Sequence, residues 1–248
     1  MIRALVTRPL PDAARTADAL AARGVGALVE PMLEIEFPVI PALDLSDVQA
    51  LLFTSANGVR AFAAASTDRS LPALATGDAT AREACAAGFL SVESAARDAQ
   101  ALARLAAARC RPAAGALLHA AGDVVAGDLA GSLSDVGFRV RRETLYRAHA
   151  VRSFSPALLG DLAAGRLRFA LFFSPRTAAV FARLARRSGV GKFCRAVDAC
   201  VLSEAVGRAL QSVGWHDICI AGRPDHKAMM VEVDHILKAP GLAGERRP

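Results

Sequence analysis

Two kinds of strand-and-helix unit alternate along this chain, and each occurs twice, so the fold must contain two similar halves. The first kind opens with the run Ile2 to Val6, breaks at Pro9 and Pro11, and continues as a helix with Ala13, Ala17, Leu20 and Ala21 on one face. Gly24 caps that helix, and a second strand follows through Leu28 and Val29. The plan returns as the strand GALLH, a break at Gly122, apolar Leu129 and Leu133, Gly137 at the helix end and a strand starting at Phe138. Gly24 and Gly137 stand 113 positions apart.

The second kind of unit is the strand ALLFTS (Ala50 to Ser55) followed by a helix with Val59, Phe62 and Ala63 inward. It recurs as ALFFSP (Ala170 to Pro175) with Thr177, Val180, Phe181 and Leu184 inward, at an offset of 119. A further strand, helix and glycine follow each copy, with Thr80 over Val206 and Gly88 over Gly214 at an offset of 126. Offsets that drift only by loop lengths indicate an internal duplication. Strands alternating with helices indicate an α/β fold of two similar lobes, with parallel sheets flanked by helices. Which units share a lobe is left open by the pattern. Simple succession puts the boundary in the loop between Ala107 and Gly115; the alternative joins the two ends of the chain and crosses at Pro38 to Pro41 and around His149 to Pro156.

The formal net charge is +6 and the sequence pI about 9.5, which attracts anions. The arginines are scattered and do not interleave with aromatics, so a small polyanion suits the chain better than nucleic acid. The five cysteines form no CxxC pair and have no histidine at zinc-ligand spacing, so no metal is expected. Cys85, Cys200 and Cys219 sit within apolar runs and read as buried thiols. The N-terminus lacks a signal-peptide core, and no apolar stretch of spanning length is free of charge or proline; the expected location is the cytoplasm, with no membrane partner.

Ser55 and Ser174 each stand where a buried strand turns into a helix. Serine caps helices, and Pro175 suits the first helical position, so a capping role explains both. The same place is where α/β folds bind ligands, because free amides and the helix dipole favour an anionic oxygen. Thr80 follows a glycine turn at a helix start, where Asp78 is an equal candidate for the cap. No GxGxxG or GxxxxGK[ST] occurs, which leaves nucleotide binding without support. Tyr146, the only tyrosine, ends the strand FRVRRETLY beside a basic stretch and reads on propensity as an amphipathic rim residue. Arg8, directly after the first strand, is a carboxylate clamp or a solvated charge. The five histidines form no HExxH, and GxSxG is absent, so nothing points to hydrolysis.

Taken in order, VTRP at the start, FTSANGV (Phe53 to Val59), TGDATA (Thr76 to Ala81) with Gly88 beyond it, Leu145-Tyr146-Arg147, and FFSPRTA (Phe172 to Ala178) resemble the uroporphyrinogen-III synthase family. The resemblance covers about residues 1 to 238 and implies two lobes with a ligand cleft between them, joined by two linker strands. Residues 1–37 with 153–238 would form one lobe, 42–148 the other, and 239–248 a flexible tail. It implies catalysis without cofactor or metal on hydroxymethylbilane, a linear tetrapyrrole polycarboxylate. Loss of its terminal hydroxyl as water would give an azafulvenium cation. Attack by the substituted carbon of the last ring would form a spiro intermediate, whose reopening and reclosure inverts that ring.

Carried over position by position, Tyr146 is the expected donor to the departing hydroxyl, and Arg8, Ser55, Thr80 and Ser174 the expected carboxylate contacts. The chain departs from the family at Ser203-Glu204-Ala205-Val206, where a Gly-x-x-Thr turn is usual, and at Ala121, where an Arg precedes the glycine. A monomer is the default expectation, with room for transient contact with the upstream bilane-forming enzyme. The rival expectation is a two-lobed protein that holds a tetrapyrrole or other polyanion without turnover, a reading that Val206 and Glu204 favour.

Overall fold

The computed structural model describes residues 2–10, 12–96, 98–125 and 127–238. The expectations placed on Pro11 and on the 239–248 tail lie outside these. The chain begins β1 (Arg3–Val6), α1 (Asp12–Ala21), β2 (Gly26–Val29), β3 (Leu33–Glu36), β4 (Val48–Phe53), α2 (Ala56–Ala65), β5 (Ala73–Ala75) and α3 (Asp78–Ala86). It continues β6 (Val92–Ser94), α4 (Ala99–Arg109), β7 (Ala116–Gly122), α5 (Leu129–Ser134), β8 (Val140–Ala150) and α6 (Pro156–Ala163). It ends β9 (Leu167–Phe172), α7 (Pro175–Ser188), α8 (Gly191–Cys194), β10 (Asp198–Val201), α9 (Glu204–Leu210), β11 (Asp217–Ile220) and α10 (His226–Lys238). Two units result: Met1–Glu34 with Ala150–Pro248, and Ile35–His149.

The first unit holds a sheet of order β11-β10-β9-β1-β2, with parallel pairing throughout its registers. Its inner strands β1, β9 and β10 are buried on both faces and so read as apolar runs, as parallel sheets covered by helices do, while the edge strands β2 and β11 are only partly covered. Ala4, Val6, Phe169 and Leu171 pack with Leu20 of α1 and Met229, Met230 and Val233 of α10. On α7 the buried face carries Thr177, Val180, Phe181 and Leu184, and Phe181 meets Phe172 edge-on at 5.2 Å.

The second unit holds a sheet of order β3-β8-β7-β4-β5-β6. Period-two alternation along β4 sends Leu51 and Phe53 to a cluster with Val59 and Phe62 of α2 and Ala84 of α3. Ala50 and Leu52 point the other way, to Leu102 of α4 and Leu129 and Leu133 of α5. Leu5, Val6, Leu52, Leu117, Leu118, Leu171 and Phe172 all lie in inner strands and are at most 1% exposed. A mixed α/β architecture with helix-flanked parallel sheets is thereby established.

Several local expectations are corrected. On α1 the buried face is Ala13, Thr16 and Leu20, and Ala21 is exposed, because the helix presents a narrower stripe than its alanines suggest. Gly24 (φ 71°) and Gly137 (φ 87°) do hold the left-handed conformation that ends their helices, but Gly214 does not. Asp78 is the first residue of α3, not its cap; Gly77 takes the cap position, and Asp78 instead accepts from the Ser94 hydroxyl at 2.7 Å. β8 runs to Ala150, so Tyr146 lies inside the strand and is not its last residue. Cys85 is exposed on the outer face of α3, whereas Cys194 and Cys200 are buried.

Candidate active site

In the unit Ile35–His149 the chain leaves β4 through α2 toward β5, and leaves β7 through α5 toward β8, so neighbouring strands send their connections to opposite sides. Such a switch point leaves a crevice at the carboxyl ends of the two strands, the usual ligand position in open α/β sheets. Ser55 stands there, just past β4, in extended backbone with φ −155° and ψ 156°. Its Oγ accepts the Gly58 amide at 3.1 Å, which caps α2, and lies 2.8 Å from Tyr146 Oη.

Tyr146 comes from β8, which lies on the far side of β7 from β4. Its side chain must therefore cross β7, and it does so over Gly122, its partner in the strand register. A Cβ at Gly122 would sit 2.7 Å from two carbons of the Tyr146 ring, so only glycine leaves room for it. The ring is 9% exposed and joins the apolar cluster on the α2 side of the sheet.

Behind this pair, His119 of β7 is buried, and its Nε2 lies 3.1 Å from Thr54 Oγ1. Burial first, and then the charge of Arg142, push the imidazole down to about 4, so it is neutral at physiological pH. Arg142 donates to the Gly122 and Asp123 carbonyls at 2.9 and 3.1 Å, placing a fixed positive charge at the carboxyl end of β7. Thr80 lies in the first turn of α3 and is 7% exposed.

In the unit Met1–Glu34 with Ala150–Pro248, the switch point lies between β1 and β9. The buried Thr7 hydroxyl donates to the Leu171 carbonyl at 2.7 Å and ties the two strand ends together. Arg8 follows, its guanidinium 4.2 Å from the centre of the Phe173 ring and 3.7 Å from Asp12. Ser174 caps α7 by accepting the Thr177 amide at 3.1 Å, with Pro175 in the first turn, and its Oγ lies 3.0 Å from Thr177 Oγ1. The α9 start is different: Ser203 makes no side-chain cap, Glu204 is exposed beside Arg208 at 3.4 Å, and Val206 is 1% exposed.

The family model described as Uroporphyrinogen-III synthase HemD matches residues 14–230, most of the chain. The chain belongs to the uroporphyrinogen-III synthase family. A uroporphyrinogen-III synthetase structure from Helicobacter pylori superposes with a TM-score of 0.63 at 16% identity, covering 95% of this chain and 100% of that one. A mutant uroporphyrinogen III synthase from the extremely thermophilic bacterium Thermus thermophilus gives 0.56 at 18% identity, covering 97% and 100%. At these identities the superpositions speak for the fold, and the family match carries the function. No curated sequence matches this one. As a uroporphyrinogen-III synthase the protein is a cyclising lyase of haem biosynthesis acting on a small tetrapyrrole.

Against that family, the residues singled out from sequence fall into two groups. Ser55 and Tyr146 are joined directly, and Arg8 is stacked on the residue before Ser174; Thr80 belongs to neither pair. Gly122, His119 and Arg142 were not anticipated. Along the chain Gly122 reads as a strand break, and nothing in one dimension shows that a ring from the next strand passes over it. Val206 fills the core where Thr80 has a hydroxyl, so in that unit the first-turn position serves packing. Among the described residues no His, Cys, Asp and Glu group of three or more could hold a metal, and no helix is long and apolar enough to cross a membrane.

Proposed function

We propose that this chain turns hydroxymethylbilane into uroporphyrinogen III with Tyr146 as general acid and without metal or cofactor. The observation that carries this reading is the hydroxyl pair of Ser55 and Tyr146, 2.8 Å apart at the switch point of the second unit. In the first step the carbon–oxygen bond of the terminal hydroxymethyl group breaks. The electron pair leaves with oxygen, Tyr146 supplies the proton that makes it water, and an azafulvenium cation and a tyrosinate remain. The substituted carbon of the last pyrrole attacks the cation to give the spiro intermediate. Its reopening and reclosure turn that ring over, and the proton lost as the ring regains aromaticity returns to Tyr146.

The carboxylates of the substrate are bound by Arg8, by the Ser174 and Thr80 hydroxyls, and by the amides of the α2, α3 and α7 N-termini, whose dipoles favour anions. The Arg8 guanidinium lies over the Phe173 ring, which restrains it beside the carboxyl end of β1, and a guanidinium suits paired hydrogen bonds to a carboxylate. Holding the chain folded for attack at the substituted carbon is the main task, since an unguided bilane closes without inversion. The protein acts as a monomer in the cytoplasm, with transient contact to the enzyme that makes the bilane and no nucleic-acid partner.

The test is to supply the purified protein with freshly made hydroxymethylbilane, oxidise the product and separate the isomers. Mostly type III is expected. Type I alone would overturn the proposal and leave a protein that binds the tetrapyrrole without turning it over.

A further inference from the structure

We infer that Ser55 and Gly122 are positioning residues for Tyr146: Gly122 lets the ring pass over β7, and Ser55 donates a hydrogen bond to the tyrosine oxygen. This rests on the reading of Tyr146 as the proton donor, and it moves Ser55 from the carboxylate contacts to the acid itself.

Tyr146 leaves β8 and Ser55 follows β4, with β7 between them. At the register position opposite Tyr146, β7 carries Gly122, and the space a Cβ would need is occupied by the ring, with Cε2 and Cζ at 2.7 Å and Oη at 3.0 Å from it. Any side chain there would lift the ring off the strand and move its hydroxyl. The backbone just past Gly122 is tied to β8 as well, since the Asp123 amide donates to the Tyr146 carbonyl at 3.0 Å.

Either hydroxyl can donate across the 2.8 Å contact while both carry their protons, but the tyrosinate left by proton transfer can only accept, so Ser55 is then the donor. One Ser55 lone pair accepts the Gly58 amide, at the end of α2 where the helix dipole is positive. An oxygen already accepting from a helix N-terminus is polarised and becomes a better donor through its remaining hydrogen. With Ser55 donating, the tyrosinate oxygen accepts from a serine that is itself polarised by the α2 N-terminus, which stabilises the charge left by proton transfer. The helix thus acts on the tyrosine through a single serine.

A double-mutant cycle separates this from direct substrate binding. Ser55→Ala should lower kcat about tenfold or more with little change in KM, and Ser55→Thr, which keeps both the cap and the hydroxyl, should restore kcat to within a few-fold. In a Tyr146→Phe background Ser55→Ala should cost less than about twofold more, because nothing remains for the serine to orient. Gly122→Ala should likewise lower kcat far more in the native background than in the Tyr146→Phe background, where the displaced ring no longer carries the acid. Independent, multiplying losses or a rise in KM as the main effect of Ser55→Ala would overturn the positioning role while leaving Tyr146 as the acid. Full activity of Tyr146→Phe alone would remove both. If Gly122→Ala does not fold, the Ser55 cycle decides on its own.

Discussion

Gly58 in the first turn of α2 approaches Ala120 of β7 so closely that a Cβ would lie 2.5 Å from the Ala120 carbonyl oxygen. The helix that Ser55 caps is thus seated on the strand that Tyr146 crosses. Because the obstacle is backbone, it cannot swing aside as a flexible side chain would. Gly58→Ala should lower stability by about 1–3 kcal/mol, the usual cost of overpacking, as measured by urea unfolding followed by circular dichroism. Gly191→Ala, where nothing lies within 4 Å of the added carbon, is the control and should change stability by no more than about 0.5 kcal/mol.

Tyr146→Phe removes one hydroxyl and keeps the ring over Gly122. Turnover should fall about 10²-fold or more, the scale of a general-acid contribution, with a much smaller change in KM. The hydroxyl is part-buried and hydrogen-bonded to Ser55, so a stability loss of no more than about 1 kcal/mol should accompany it. Steady-state kinetics on fresh bilane, with a thermal melt of the same preparation, checks both.

His119 makes the second unit sensitive to acid. Its folded-state pKa is about 4, below the ordinary 6.5, so between those values the unfolded chain binds a proton that the folded chain refuses. Stability therefore falls as pH drops from 6.5 toward 4, by roughly 3 kcal/mol in all, and is fully restored above 6.5. Replacing His119 with Gln, which can still hydrogen-bond to Thr54, should flatten the urea midpoint across that range. An unchanged slope in the variant would assign the acid sensitivity to other groups.

Ser174 caps a helix of 14 residues, and its loss should be felt mainly in the first unit. Ser174→Ala should destabilise by about 1 kcal/mol. The single tryptophan, Trp215, is the reporter, since it lies 5.4 Å from Phe181 of α7 and 5.6 Å from Phe172 of β9. KM for the bilane should rise several-fold with kcat little changed, the opposite split from Tyr146→Phe.

The repeat was legible because buried parallel strands are apolar on both faces, and the helices between them carry their apolar residues at helical spacing. Ser55, Ser174 and Pro175 could be placed for a similarly local reason: a cap acts on amides within its own first turn. Helix faces were less secure. Thr16 is buried on α1 and Ala21 is not, since alanine is indifferent to which side it takes and only the neighbouring sheet decides.

The sequence by itself determined the α/β class, the strands that form the sheet interiors, the two serine caps and the family to which the chain belongs, all of which depend on contacts a few residues long or on the order of motifs. Only the tertiary structure decided which units share a sheet, because parallel strands are joined by hydrogen bonds that carry no side-chain signature. The same holds for the site. Ser55 and Tyr146 are 91 positions apart, and their 2.8 Å contact exists because β7 lies between their strands and presents a glycine where the ring must pass. A glycine reads as a break along the chain; across the sheet it is the space that another residue needs.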